Sequence, residues 1–312
     1  MYNVLMFWML LATIAALIFA LNTFIDNALN DNYFRRRNPG GLLVFTAISY
    51  VLTLVILIAV DGGFELFLRP DTISVCGLML GGALNMLANI PYLRSLKYSD
   101  ATELTVFWQL GPVMSLVLGM LVLNEHLNTN QLVAFCLIFA AAFFLVHSPR
   151  KKKERKVKMR ALFWVFMTCL LWILSDVFFA LEGRGESFAS GLAWFVLGSL
   201  AMWGVLVLVM KDWRKSAAGF LKERQAWKLT VVGVNLSMYV GAEFAYRAAI
   251  MIAPIAMVSV FKSVTELLLT FVLGIVLSVV WPKFGREKIE RGVIYRNLIA
   301  VVMVAIGIFL LQ

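Results

Sequence analysis

The chain reads as an all-α polytopic membrane protein of ten transmembrane helices, arranged as two inverted five-helix repeats. Three observations lead there: its apolar content, the spacing of its apolar windows, and a set of positions that recurs in both halves. Of its 312 residues, 62% are hydrophobic and only 15% charged, with a mean hydropathy of +0.87. Soluble chains carry about 25% charged residues. The net charge of +10 calls for no nucleic acid, because the basic residues lie between apolar runs and form no domain of their own. Cys76, Cys136 and Cys169 all fall in apolar runs and the chain has 2 histidines, so neither a disulfide framework nor a metal site is indicated, and no cofactor is expected.

Apolar windows of about 20 residues, long enough to cross ~30 Å of hydrocarbon, fall at 4–23, 41–60, 72–95, 102–123, 132–147, 161–181, 190–210, 229–252, 254–278 and 296–311. The first follows Met1-Tyr2-Asn3 with no basic segment before it, so it reads as a retained helix rather than a cleaved signal. The fifth and tenth are short and are expected to extend into their flanks.

Alternate loops differ sharply in charge. One side collects 23 of the 28 Lys and Arg residues, including Arg35, Arg36, Arg37, Lys97 and the runs in 150–160, 211–228 and 283–296. The other side has Arg69 and Arg184, and Arg94, Arg247 and Lys262 lie inside spans. Basic loops stay cytoplasmic, which places both termini outside, in what reads as a bacterial inner membrane.

The basic stretch 148–160 is a cytoplasmic linker beside anionic headgroups, dividing a first repeat, 1–147, from a second, 161–312. Phe7-Trp8 recurs as Phe163-Trp164, Gly41-Leu42 as Gly191-Leu192, and Ser49 as Ser199. Ala88-Asn89-Ile90-Pro91-Tyr92 matches Ala242-Glu243-Phe244-Ala245-Tyr246, and Val106-Phe107 matches Val260-Phe261. Leu132, Ala134 and Phe143 correspond to Leu298, Ala300 and Phe309. Five spans per half make the copies opposite in orientation, the plan of carriers that alternate access around a midplane site. The loop Trp281–Asn297, longer than its counterpart Asn124–Gln131, reads as an amphipathic interfacial helix.

The eighth and ninth spans form a hairpin about Ala253-Pro254 and carry the chain's densest intramembrane charge. Glu243 and Arg247 are spaced i, i+4, as are Lys262 and Glu266, so each pair shares a helix face. A charge at the bilayer centre costs ~2.5–3.5 kcal/mol on the mildest scale, so such residues face a bundle interior or a wet cavity. Reflection about the turn sets Glu243 at the depth of Lys262, within reach of it. Asn235, Tyr239, Glu243, Tyr246 and Arg247 form a polar stripe, matched in the third span by Asn85, Asn89 and Tyr92. Trp108 and Gln109, in the fourth span at Lys262's level, are expected to join the cavity wall. Asp176, about 15 residues or ~22 Å of helix from the basic linker in the sixth span, completes a cluster of three acids (Asp176, Glu243, Glu266) and two bases (Arg247, Lys262), formally −1. A carboxylate left uncompensated in such surroundings tends to take up a proton. These acids are therefore candidates for proton coupling, or for a cation site, or for a structural ion-pair network. Arg94 and Glu103 are expected to pair across their turn, and Glu125 and Asp26, at span ends, to be solvated among headgroups.

Ser95-Leu-Lys-Tyr-Ser-Asp-Ala101 resembles the turn between third and fourth helices in the drug/metabolite transporter superfamily, in its EamA-type branch of ten-helix carriers. Gly111-Pro112, Gly119 and Glu125 resemble that branch's fourth-helix pattern. The chain departs from it in the ninth helix, where Lys262 and Glu266 stand in place of the usual Pro and terminal Glu, and in the charge-based orientation, since the family's termini are usually cytoplasmic. The resemblance implies metabolites, amino acids or drugs as substrates.

The function expected is secondary transport of a small organic solute by alternating access, possible proton coupling included. A flippase for a lipid-linked or amphipathic substrate is the alternative, as is a carrier of anionic phosphorylated metabolites bound through Lys262. Enzymatic activity is not expected: nothing resembles a Ser/Lys, Ser/His, two-Asp or zinc arrangement, and no Walker-type glycine loop is present. The expected partners are the solute and the lipid bilayer, with the protein a monomer or homodimer.

Overall fold

A backbone in hydrocarbon has no water to bond, so it must close its hydrogen bonds within a helix or a closed barrel. The computed structural model, which describes residues 2–29, 40–60, 71–95, 110–146, 155–211, 214–215 and 226–280 and single positions at 63, 67, 108 and between 299 and 310, takes the helical solution. Its helices are α1 (Tyr2–Leu29), α2 (Gly40–Val60), α3 (Thr72–Ser95), α4 (Leu110–Val122), α5 (Thr129–Val146), α6 (Arg155–Gly183), α7 (Phe188–Val209), α8 (Ala226–Ile252) and α9 (Ile255–Val280). No strand occurs among the described residues. Among the described residues, four stretches are long and apolar enough to cross a membrane: Thr72–Tyr92, Leu162–Gly183, Phe188–Val209 and Ile255–Gly274. Residues such as Val60, Ile73, Leu121 and Leu208 turn their apolar side chains outward, as a lipid-facing surface requires.

Each of the first nine expected windows holds one of these helices; in the fourth, 102–123, the helix covers Leu110–Val122, and 102–107 and 109 lie outside the described residues. Most of the tenth, the loop 281–297 and residues 147–154 lie outside the described residues. Six residues of the expected linker, Arg155–Arg160, are helical as the start of α6. Lys and Arg are good helix formers, so the helix continues beyond its apolar window.

Local chemistry sets the short turns. Asn128 and Gln131 exchange bonds at the start of α5: the Gln131 N–H donates to Asn128 Oδ1 at 2.8 Å and the Asn128 N–H to Gln131 Oε1 at 3.0 Å. Ser187 caps α7, its hydroxyl accepting from the Ser190 N–H. Asn124, after α4, has φ +50°, a left-handed conformation that asparagine tolerates.

The two halves of the chain interleave. Helix α1 packs on α8 and α9, α6 on α3 and α4, α7 on α2 and α3, with α2 also on α8 and α4 on α9. The α3–α7 contact is a backbone approach: a Cβ at Gly82 would strike the Phe195 carbonyl, and one at Gly198 the Met79 backbone. Small residues permit such approaches between helices in lipid, and Ser199 Oγ completes this one by donating to the Gly82 carbonyl at 2.9 Å. The buried face of α8 is thereby enclosed by α1, α2 and α6.

Candidate functional site

Arg247 sits at the centre. Its side chain is 2% exposed, and it reaches Glu243 on its own helix at 3.1 Å and Asp176 on α6 at 3.4 Å. Its guanidinium lies 3.7 Å from the ring centroid of Phe195 and 5.0 Å from that of Phe179. Stacking on rings while binding carboxylates suits a planar, weakly hydrated cation. The Tyr246 hydroxyl donates to the second oxygen of Asp176 at 3.0 Å, so Asp176 is held from two consecutive positions of α8.

Lys262 and Glu266 form a separate pair at 2.8 Å, with side chains 23% and 26% exposed. The expectation that Glu243 also serves Lys262 gives way to this arrangement. Its i, i+4 neighbour Arg247 engages Glu243, while the Lys262 ammonium rests over Phe19 at 4.4 Å and Tyr246 at 5.8 Å from the ring centroids. The excess charge of the cluster therefore falls on Asp176 and Glu243, which share one guanidinium. Glu243 is the more open, at 18% against 8%. Beside Glu243 and Arg247 lies a narrow cleft of about 20 Å³, walled by Tyr50, Phe195, Tyr239 and Phe244.

The third-span stripe is only partly recruited. Asn85 donates to the Tyr50 hydroxyl at 2.9 Å and so supports the cleft wall from behind. Asn89 turns back on its own helix, donating to the Asn85 and Met86 carbonyls. Tyr92 and Trp108 join an aromatic group with Trp172, whose ring stacks on Trp108 at 5.1 Å and lies 5.8 Å from Tyr92. Trp172 escaped the sequence reading, although its i, i+4 spacing from Asp176 places both on one face of α6. Tyr50 escaped as well, since an isolated tyrosine in an apolar span carries no pattern. Gln109 and Glu103 lie outside the described residues, and Arg94 stacks over Trp164 at 4.7 Å.

Glu125 is no headgroup-solvated carboxylate. Its side chain is 9% exposed; one oxygen takes Arg184 at 2.6 Å and the other accepts from the Ile255 N–H at the start of α9. Arg184 also donates to the carbonyls of Ile250 and Ala253 at the end of α8. This node draws together three short loops, α4–α5, α6–α7 and α8–α9, at one end of the bundle. Gly119 makes room for it, since a Cβ there would stand 2.9 Å from Glu125 Oε2.

Apolar spans, interleaved halves and a charged cluster within the bundle define an integral membrane protein with a polar core. The model of the EamA-like transporter family matches residues 6–147, which bears out the resemblance to the drug/metabolite transporter superfamily over the first half of the chain. Among solved structures, 28 chains match; one, titled only "Crystal structure of protein", superposes with a TM-score of 0.67 at 14% identity, covering 98% of this chain and 96% of that one. At that identity the likeness concerns the fold alone. No curated protein matches the sequence.

Proposed function

We propose that the protein is a secondary transporter that carries a small organic solute by alternating access, with Asp176 and Glu243 as its proton- or cation-binding pair. The observation that carries this reading is the sharing of Arg247 by two carboxylates. Two anions and one cation in a low-dielectric enclosure leave one negative charge, which a proton or a solute ammonium group neutralises. Glu243 is the better placed of the two to exchange it, because it borders the cleft.

The inverted repeat, with units 1–147 and 161–312 about the linker 148–160, belongs to the same proposal. Helix pairing supports it. Exchanging α1–α4 for α6–α9 turns α1–α8 into α6–α3, α1–α9 into α6–α4 and α2–α8 into α7–α3, while α2–α7 and α4–α9 map onto themselves. The charged cluster lies within the second repeat, on α6 and α8, and Tyr50 of the first repeat borders its cleft. A phosphorylated anion is a poorer fit than a cation or zwitterion, since Lys262 is already matched by Glu266.

The test is uptake of amine and amino-acid solutes into proteoliposomes with an imposed pH gradient. Wild-type uptake is expected to follow the gradient, and Glu243→Gln or Asp176→Asn to abolish that dependence while Glu266→Gln retains it. Unchanged gradient dependence in both of the first two variants would make the cluster structural.

A further inference from the structure

The Arg184–Glu125 node has an open side that the Asp176–Glu243 pair does not use. A depression of about 250 Å³ lies against it, at the end of the bundle opposite the basic loops, and Glu125, His126, Arg184, Met251, Ile252 and Pro254 form most of its wall. The cleft beside Glu243 has room for about 20 Å³. The depression holds about eight times the ~30 Å³ that one water occupies in the liquid, enough for a solute of amino-acid size.

The two charges of the node face this space unequally. Glu125 is 9% exposed and has spent both oxygens, one on Arg184 and the other on the Ile255 N–H. The Arg184 side chain is 32% exposed, and a guanidinium carries five N–H donors. Nε serves the Ile250 carbonyl, while Nη2 serves Glu125 and the carbonyls of Ile250 and Ala253. The two donors on Nη1 have no partner among the described residues. His126, exposed on the same wall, adds a ring N–H. Met251, Pro254 and the 42% exposed Ile252 supply apolar surface beside these donors.

A cation finds no free carboxylate oxygen here, whereas an oxyanion on a short hydrocarbon body finds both donors and an apolar wall. Charge then selects among oxyanions. Glu125 already offsets much of the Arg184 charge, so a dianion such as a phosphate ester would sit uncompensated beside a carboxylate. A monoanion avoids most of that repulsion. We propose that the depression is a docking site for the carboxylate of a small solute, held by Arg184 with His126 beside it. A carboxylate on Nη1 shares the guanidinium that Glu125 holds, so it draws on the ion pair that joins the ends of α8 and α9. The site goes beyond the transport reading, and its test measures binding rather than uptake, so the two fail separately.

Phenylglyoxal, which modifies accessible guanidinium groups, reads the site in the full chain held in phosphatidylcholine nanodiscs. Modification of Arg184 is followed by mass spectrometry of chymotryptic peptides, with the exposed Arg160 of the same sample as the reference for reagent activity. At an affinity of about 5 mM, propionate at about 20 mM slows the Arg184 reaction about fivefold, because protection follows 1 + [L]/Kd. Glycine betaine, which carries a carboxylate, is expected to protect likewise, and choline, which carries none, to give no protection. His126→Ala should weaken the affinity about fivefold, the loss of one neutral hydrogen bond, and so reduce protection to about twofold. Ile252→Asp, at an exposed position, sets a second carboxylate in the wall and should abolish protection, with the fold checked by tryptophan fluorescence melting. An Arg184 that does not react, or reacts equally fast with and without propionate, would overturn the site, as would protection that survives Ile252→Asp. Protection by glycerol phosphate exceeding that by propionate would assign the depression to a lipid phosphate and overturn the carboxylate. Unchanged protection in His126→Ala would overturn the part given to His126.

Discussion

Arg247 shows how a single side chain can hold two helices by satisfying charges on both. It bonds Asp176 on α6 and Glu243 on α8, and two aromatic rings cover its faces. Removing one member of a buried ion group leaves uncompensated charge, which typically costs ~3–5 kcal/mol, whereas replacing the whole group with neutral side chains can be nearly neutral. Arg247→Leu is therefore expected to destabilise the protein by about 3–5 kcal/mol in detergent unfolding, and adding Asp176→Asn and Glu243→Gln should restore most of that. Lys262→Met should cost less, because its one carboxylate partner is a quarter exposed and can find water. A triple variant as unstable as Arg247→Leu would show that packing on Phe195, not charge, is what the arginine supplies. The residue scale also marks where sequence reading stops. The pairs Glu243–Arg247 and Lys262–Glu266 are visible as i, i+4 spacings on single helices. The bond from Arg247 to Asp176 is not, because it depends on how α6 and α8 are rotated about their axes.

Among elements, the α8–α9 hairpin is held at its tip by side chains from elsewhere. Glu125 supplies a carboxylate to the N-terminus of α9, where the helix dipole and a free N–H favour an anion. Arg184 supplies a cation to the carbonyls that close α8. The two meet in an ion pair, so one node caps both helices and joins the loops of both halves. Arg184→Gln removes the charge from this node and is expected to loosen that end of the bundle. In a background cleared of native cysteines, Met251→Cys, beside the node, should then be labelled by impermeant reagent about tenfold faster from the side opposite the basic loops. Unchanged labelling would mean that helix packing alone keeps this end closed. The sequence placed Glu125 at a span end and counted Arg184 on the charge-poor side, yet gave no sign that they meet: 59 positions separate them.

At the scale of the whole molecule, the loop charges and the family resemblance disagree about which way the chain faces. The charge imbalance is large and lies in short loops, where it bears most on orientation. A cysteine introduced in 150–158 is expected to react with impermeant reagent only in opened cells, and one replacing Gln312 to react in intact cells; the reverse pattern would show that orientation follows the family. By itself the sequence determined what hydrophobicity and helical period dictate: the apolar windows of the described helices, the hairpin at Ala253-Pro254 and the shared face of Glu243 and Arg247 on α8. These are local properties, because a helix in hydrocarbon satisfies its own backbone and its length and faces can be counted from residue order. Tertiary structure decided the partners: Asp176 with Arg247 and Tyr246, Tyr50 with Asn85, Trp172 with Trp108, Glu125 with Arg184. Each of those contacts joins two helices or loops. Which faces meet depends on close approaches such as Gly82 against Phe195, which the order of residues along one helix does not contain.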